Sequence, residues 1–554
     1  MTLGGTKVET RERNPWVVLG VLLVGFFMTL LDTTIVNIAI PDMVTGLDAS
    51  LDQVLWFVNA YTLTFAALQL LSGRLGDRLG ARTMFIAGLL IFTVASAACG
   101  LAGSAVQMII TRTVQGIGAA VLMPQTLALI SAVFPPAKRG AAFGVWSAVA
   151  GLAIIAGPTL GGLLVSSVGW RWIFFINVPL GAAAVLAAVL VVPNVRSGRR
   201  PRLDLPGVLL STTGLFLVIF ALIEGQRYEW GTVFSFVTIP VVLGAGIVVL
   251  IAFLVLQGRR QQRDPLLPFQ LFHNRVFSIS VTLSSVILFA SVGLLLPLTI
   301  YLQSVLGLSA IVAGLVLVPP SVISLFLAPI AGNLVGRIGG RAILVPGLLL
   351  YGGGIALAGL MAGPGSSPWV LMPGLILFGI GMGLVFAPIN TLAMGGVPPA
   401  LAGAASGVLA TTRQLGTVLG AAAVGLLLQN RLAAEATEQA SLRLGEVPQE
   451  AQAGFQHSIA AAVDRGLDVG AGQSGGIVVP PGLSEEAARE TARVTQDVFA
   501  SSFTTAATWA LVLTAVVQVA GMLLALLLPG RGKPEAGRPA GSPEPAVTTG
   551  DRAS

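Results

Sequence analysis

The decapeptide GRLGDRLGAR, residues 73–82, has a counterpart in GNLVGRIGGR, residues 332–341. The two share glycine at their first and eighth positions and arginine at their sixth and tenth, 259 residues apart. Each follows an apolar run long enough to cross a bilayer, 53–72 in one case and 310–333 in the other. The same loop after the second apolar run of each half implies a duplicated six-helix unit.

Fourteen apolar stretches surround these loops, at 16–40, 53–72, 83–102, 106–131, 141–165, 173–193, 205–224, 232–256, 276–300, 310–333, 342–361, 368–391, 402–428 and 505–529. Each approaches the ~20 helical residues that a hydrocarbon core of about 30 Å requires. The first is too long for a cleaved signal peptide, contains Asp32 and is followed by further spans. The reading is an all-α polytopic membrane protein. Residues 1–15 form a cytoplasmic N-terminus, 16–195 a six-helix bundle, 196–260 two linker transmembrane helices and 261–529 a second six-helix bundle. An extracytoplasmic insertion, 429–504, interrupts the second bundle and reads as a mobile segment with amphipathic helix near Ser484 to Val494, the alternative being a partner-docking or lid role. Residues 530–554, rich in Pro, Gly and Glu, read as a disordered cytoplasmic tail.

Charge is scarce and its placement is informative. Charged residues make up 10% of the 554, against about 25% in a soluble domain. The hydrophobic fraction is 55%. These values exclude a disordered chain, a nucleic-acid-binding domain and a typical soluble enzyme. With both termini on one side, 22 of the 31 Lys and Arg residues fall in the segments of that side, which the positive-inside rule assigns to the cytoplasm. Cys99 is the single cysteine, and His273 and His457 lie far apart, so neither a disulfide framework nor a metal site is indicated. No cofactor and no nucleic-acid partner are expected, and a monomer is the expected state. Arginine outnumbers lysine 28 to 3, with abundant Ala and Gly, which associates the chain with a high-GC bacterium and its plasma membrane.

Four elements carry chemistry. In LDTTIVNIAIP, 31–41, Asp32 sits mid-span in an apolar helix. An ionised carboxylate there must be paired, protonated or in a water-filled cavity. Desolvation raises its pKa and a nearby cation lowers it, the competition that a reversible proton site needs. Pro41 frees the carbonyl of Asn37 to bend the helix or line a cavity. In the 73–82 loop, Gly73, Gly76 and Gly80 permit close approach, and Asp77 lies between Arg74, Arg78 and Arg82, which reads as a conformational latch. In RTVQGIGAA, 112–120, Arg112 either pairs with an acid such as Asp32 or snorkels to the interface. In 144–162, Gly157 and Gly161 form a GxxxG face beside Pro158, a helix suited to packing tightly and pivoting. Gly403/Gly407 and Gly416/Gly420 are counterparts in span 13, which also buries Arg413.

At these residues the chain resembles the major facilitator superfamily, and more narrowly its fourteen-helix drug/proton antiporter family of the EmrB/QacA type. The resemblance covers about 12–430 and 505–529. The first-helix motif matches 31–41. The 2–3 loop motif matches Gly73, Asp77, Arg78, Gly80 and Arg82, and the fourth-helix motif Arg112, Gln115, Gly116 and Gly118. The antiporter motif matches Gly144, Gly157, Pro158, Gly161 and Gly162, and GWRWIFFINVPLG (169–181) and RQLG (413–416) are family-typical runs. Ala153 and Thr83 depart from the pattern at positions usually held by Gly and a basic residue. The resemblance implies a major facilitator fold with two additional helices, and two bundles alternating access around a midplane cavity. Proton entry would drive the export of lipophilic drugs or antibiotics, with the proton as the coupling ion. Span 10 has no acid and Glu224 lies only at the outer edge of span 7, which speaks against a site specialised for dications and leaves neutral, zwitterionic or monocationic lipophiles open. Export of a lipid or endogenous metabolite is the same-fold alternative, and a non-transporting membrane sensor is a remote one. Candidate cavity groups are Asn37, Asn59, Tyr61, Gln69, Gln125, Gln303 and Asn390, each equally suited to a structural hydrogen bond.

Overall fold

The computed structural model describes residues 14–194, 202–225, 227–464 and 483–530, apart from the side chains at 51, 52, 154, 155, 158, 310 and 464. Five long helices open the chain: α1 (Pro15–Leu47), α2 (Leu51–Leu79), α3 (Ala81–Gly100), α4 (Ala105–Val133) and α5 (Pro136–Val168). The sixth crossing is divided into α6 (Trp172–Phe175) and α7 (Asn177–Val191). Next come α8 (Leu205–Glu224) and α9 (Ile239–Arg259), joined through a hairpin of β1 (Thr232–Phe234) and β2 (Val237–Thr238). After the short α10 (Gln270–His273) come α11 (Arg275–Ile300), α12 (Ala310–Val316), α13 (Val318–Ile338), α14 (Gly340–Met361) and α15 (Met372–Gly395). The last are α16 (Ala402–Leu442), α17 (Gln449–Asp464) and α18 (Glu485–Ala525). Thirteen helical segments among the described residues are long and apolar enough to cross a membrane. Helix α5, 33 residues of which three side chains are undescribed, supplies the fourteenth by length and sequence.

Local sequence sets the helix ends. Asn14 caps α1 ahead of Pro15, Ser50 and Gln53 form a reciprocal capping box on α2, and Asn274 accepts from two free amides of α11. Gly80 separates α2 from α3 with φ of 97°, and Gly339 separates α13 from α14 with φ of 87°. These are the eighth positions of the two repeated loops. Glycine is required there because an L side chain strains at positive φ.

The repeat is also visible in the packing. Helix α3 packs on α4 as α14 packs on α15, and α2 on α4 as α13 on α15. Helix α1 packs on α5 as α11 packs on α16, and α3 on α7 as α14 on α18. The two bundles meet reciprocally, α2 against α16 and α13 against α5. Helices α8 and α9 pair with each other. On α8, Leu215 and Ile219 share one apolar cluster with Leu63, Ala66 and Ala67 of α2 and with Val418 of α16. Helix α9 turns Val241, Ile247, Val248, Ile251 and Val255 outward, as suits a helix bathed in lipid.

The insertion contains the helix expected near Ser484 to Val494, as the start of α18. Its described residues are helical and packed. Helix α16 continues through 429–442, where QNRLAAEATEQASL contains neither Gly nor Pro to stop it. Helix α18 begins at Glu485, well before its apolar part. Between them α17 buries Ala451, Phe455 and Ile459 against Ala440, Val494 and Val498. The glycine-rich stretch near 470–476 and the tail 531–554 lie outside the described residues.

The loop ends bearing Arg74, Arg78, Arg82, Lys138, Arg139, Arg337 and Arg341 lie on one side of the molecule, hereafter the basic face.

Candidate functional site

The centre of the first bundle holds an ion pair sealed from solvent. Asp32 on α1 is 0% exposed and Arg112 on α4 is 1% exposed. Arg112 Nη1 donates to Asp32 Oδ2 at 2.5 Å, and Gln115 Nε2 donates to Asp32 Oδ1 at 2.9 Å. Arg112 also donates from Nη1 to Gln115 Oε1 at 2.8 Å and from Nε to the Phe57 carbonyl of α2 at 2.8 Å. Its guanidinium carbon lies 4.4 Å from the centre of the Tyr61 ring, a cation–π contact. Tyr61 in turn donates to the Thr29 carbonyl. Arg112 therefore pairs within the bilayer and does not snorkel. The arrangement joins α1, α2 and α4 through a charge-assisted network whose members are all buried.

The second constellation fastens the bundles at the basic face. Asp77 Oδ1 accepts from the Gly403 amide at 2.7 Å and Oδ2 from the Ala404 amide at 2.8 Å. A carboxylate of one bundle thus occupies the N-terminus of α16 in the other, where free amides and the helix dipole favour a negative charge. Arg74 lies 3.5 Å from Asp77 and donates from Nε and Nη2 to the Pro265 carbonyl, anchoring the chain that links α9 to α11. Arg82 donates to the Val189 carbonyl of α7. Arg78 is exposed and sits apart from these bonds. A Cβ at Gly73 would overlap the Gly403 carbonyl, so the α2 and α16 backbones touch there. At the reciprocal seam, a Cβ at Gly140 of α5 would overlap the Gly332 carbonyl of α13 and the reverse also holds. Gly144 abuts Pro329 in the same seam.

The glycine-rich helices have two working faces. Toward the basic face, α5 uses Gly140 and Gly144 against α13, while Gly157 and Gly161 seat Thr34 and Ile35 of α1. In α16, Gly403 and Gly407 meet α2, while Gly416 and Gly420 seat Ser285 and Phe289 of α11. Gly162 faces open space and takes no part. Pro158 lies within α5, and its side chain is outside the described residues. Ala153 is fully buried, so a methyl group fits where glycine is usual.

Arg413 of α16 is half-buried and donates to Asn390 Oδ1 at 2.5 Å. Most other candidate cavity groups are structural in this state. Asn59 donates to Glu224 Oε1 at 2.8 Å and so ties α8 to α2, while Arg227 holds the other oxygen at 2.9 Å. Gln125 donates to the Ser72 carbonyl at 2.8 Å. Asn37 is exposed and bonds only its own helix, which runs through Pro41 unbroken. Sequence reasoning passed over the Phe57 carbonyl, Gly140 and Trp146. The first two are backbone surfaces that no residue type announces. Trp146 stood inside a quoted motif, and a tryptophan at mid-span was the available signal.

Two six-helix bundles that repeat one packing scheme, meet at reciprocal glycine seams and enclose a buried ion pair define a polytopic transporter built on an internal repeat. The chain belongs to the Major Facilitator Superfamily, whose family model matches residues 22–421. It is 33% identical over 562 residues to the tetracenomycin C resistance and export protein of Streptomyces glaucescens, covering 98% of this chain and 97% of that one. It is 34% identical over 412 residues to the multidrug resistance protein Stp of Mycobacterium tuberculosis, 74% and 75% of the respective lengths. Among solved structures, the proton:xylose symporter XylE aligns with a TM-score of 0.55 at 15% identity over 75% of this chain and 89% of that one, a likeness of fold.

Proposed function

We propose that the protein is a proton-driven antiporter that exports lipophilic antibiotics or other drugs by alternating access. The basic face would lie in the cytoplasm of a bacterium, with both termini there. The buried Asp32–Arg112–Gln115 network carries this reading, and the resistance and export names of the relatives support it.

The residues suggest how coupling works. A proton on Asp32 removes the counter-charge of Arg112, which keeps the Phe57 carbonyl, Gln115 and the Tyr61 ring. The tie from α4 to α1 weakens while the tie from α4 to α2 remains. Two residues beyond Asp32, Thr34 sits in the Gly157 notch of α5. The other end of α5 abuts α13 at Gly140 and Gly144. Helix α5 thus links the protonation site to the seam between bundles. The Asp77 bonds hold the seam at the basic face together, which on this reading would be the state closed toward the cytoplasm. One charge crossing 100 mV is worth about 2.3 kcal/mol, enough at ~1.4 kcal/mol per tenfold for roughly a 50-fold substrate gradient per proton.

The test is a resistance panel in an efflux-deficient host, with and without a protonophore, followed by uptake into everted vesicles with wild type and Asp32→Asn. Protonophore-sensitive resistance and loss of uptake in the variant are expected. Undiminished proton-driven uptake by Asp32→Asn sinks the coupling role.

A further inference from the structure

Arg413, half-buried in α16, has a surrounding that the coupling scheme leaves unused. The guanidinium carbon of Arg413 lies 5.3 Å from the centre of the Trp146 ring, so a residue of α16 reaches across to α5 of the other bundle. Trp146 in turn stacks on Phe26 of α1, ring centres 4.2 Å apart and planes 18° apart. Asn390 takes one N–H of Arg413. Arg413 Nε and Trp146 Nε1 are both buried without a hydrogen-bond partner. Among the described residues no carboxylate pairs with Arg413, whereas Arg112 has Asp32.

Side by side at the interface of the bundles are a permanent cation and two unspent N–H donors, one from each bundle, on Arg413 and Trp146. Guanidinium and indole N–H groups donate and cannot accept. Leaving buried donors unmatched is unfavourable, and a ligand acceptor placed between them recovers that loss. The complementary group is anionic, in contrast to the neutral, zwitterionic or monocationic substrates expected from the sequence, and it would approach from the exposed side of Arg413, since Phe26 and Trp146 are themselves buried. A cationic ligand meets like charge at the same place.

We propose that Arg413 and Trp146 form a recognition point for lipophilic organic anions, binding a carboxylate, phenolate or sulfonate at the interface between the bundles. This deepens the export reading and rests on it. Asp32 bonds only residues of the first bundle, so the substrate anion and the coupling proton use separate groups.

Fluorescein and rhodamine 123 share a xanthene ring and differ in charge, so they are the probes. Binding is measured on the full-length protein in nanodiscs. Wild type is expected to bind fluorescein saturably and more tightly than rhodamine 123. Arg413→Gln should weaken fluorescein roughly ten-fold or more, the scale of one charge-assisted bond, and leave or strengthen rhodamine 123. Arg413→Lys, which keeps charge and loses the planar fork, should fall between, and Trp146→Phe should weaken fluorescein by roughly two- to five-fold. If Arg413→Gln does not fold, the Lys and Phe variants decide. Preference of wild type for rhodamine 123, or unchanged fluorescein binding in the folded variants, overturns the proposal. Proton-driven export without anion preference would refute this site and spare the antiporter reading. Arg413-dependent anion binding without proton-driven transport would do the reverse.

Discussion

Asp77 of α2 caps the helix of the opposite bundle at Gly403, its Oδ1 2.7 Å from the Gly403 nitrogen. The bond is made possible by glycine on both sides, since Gly73 brings the two backbones into contact one turn away. Removing the charge should loosen the latch without disturbing either bundle. Asp77→Asn loses the negative charge at the α16 N-terminus and one of the two accepted bonds, and a cost near 1 kcal/mol corresponds to a roughly five-fold shift in the closed-to-open ratio. Spin labels at the exposed positions Arg78 and Arg341, with Cys99 replaced by serine, should report a new long-distance population at the basic face. An unchanged distance distribution would refute the latch.

The Asp32–Arg112 pair predicts strong non-additivity. Arg112→Met strands a buried carboxylate and should cost about 3–5 kcal/mol. Adding Asp32→Asn to that variant should recover most of the loss, because the double variant no longer buries an unpaired charge and Asn keeps a hydrogen-bonding group for Gln115. Thermal unfolding in nanodiscs reads both values. Equal destabilisation by the single and double variants would contradict the pairing.

Gly157 and Gly162 belong to one motif and should behave oppositely. A methyl group at Gly157 runs into Thr34, so Gly157→Ala should cost about 1–3 kcal/mol and slow transport. Gly162 faces open space, so Gly162→Ala should stay within about 0.5 kcal/mol of wild type. Melting temperature and vesicle uptake measured side by side decide whether the notch for α1 is real.

Asn59→Ala removes the bond that holds Glu224 to α2. The buried Glu224 then keeps only Arg227, at a cost of about 1–3 kcal/mol. Faster hydrogen exchange is expected in α8, with exchange in α4 unchanged. Equal protection of α8 in variant and wild type would show that the tie is idle.

The repeat was legible because a shared backbone task demands a shared residue. Gly80 and Gly339 both turn with positive φ, and Gly73 and Gly332 both lie where helices of opposite bundles touch. Asp32 and Arg112 were legible as charges that a bilayer does not tolerate alone. Gln115 was legible beside Arg112 in the fourth-helix motif, whereas the Phe57 carbonyl depends on the rotation of α4 against α2, which no single-helix pattern encodes. The same holds for Gly140, whose use depends on Gly332 arriving opposite it. The amphipathic helix of the insertion was legible in its Ala, Glu and Arg runs, whereas the small core that α16, α17 and α18 bury around Phe455 depends on how those helices meet.

Helix α8 shares its apolar stripe between α2 and α16. Leu215 and Ile219 cannot stay seated on both when those two helices part, so any opening along their seam leaves α8 with one bundle and peels it from the other. Asn59 and Glu224 settle which side keeps it, since that bond leads only to α2. The added pair of helices is therefore a passenger of the first bundle, and it wets part of the α16 surface with lipid or water each time the carrier turns over.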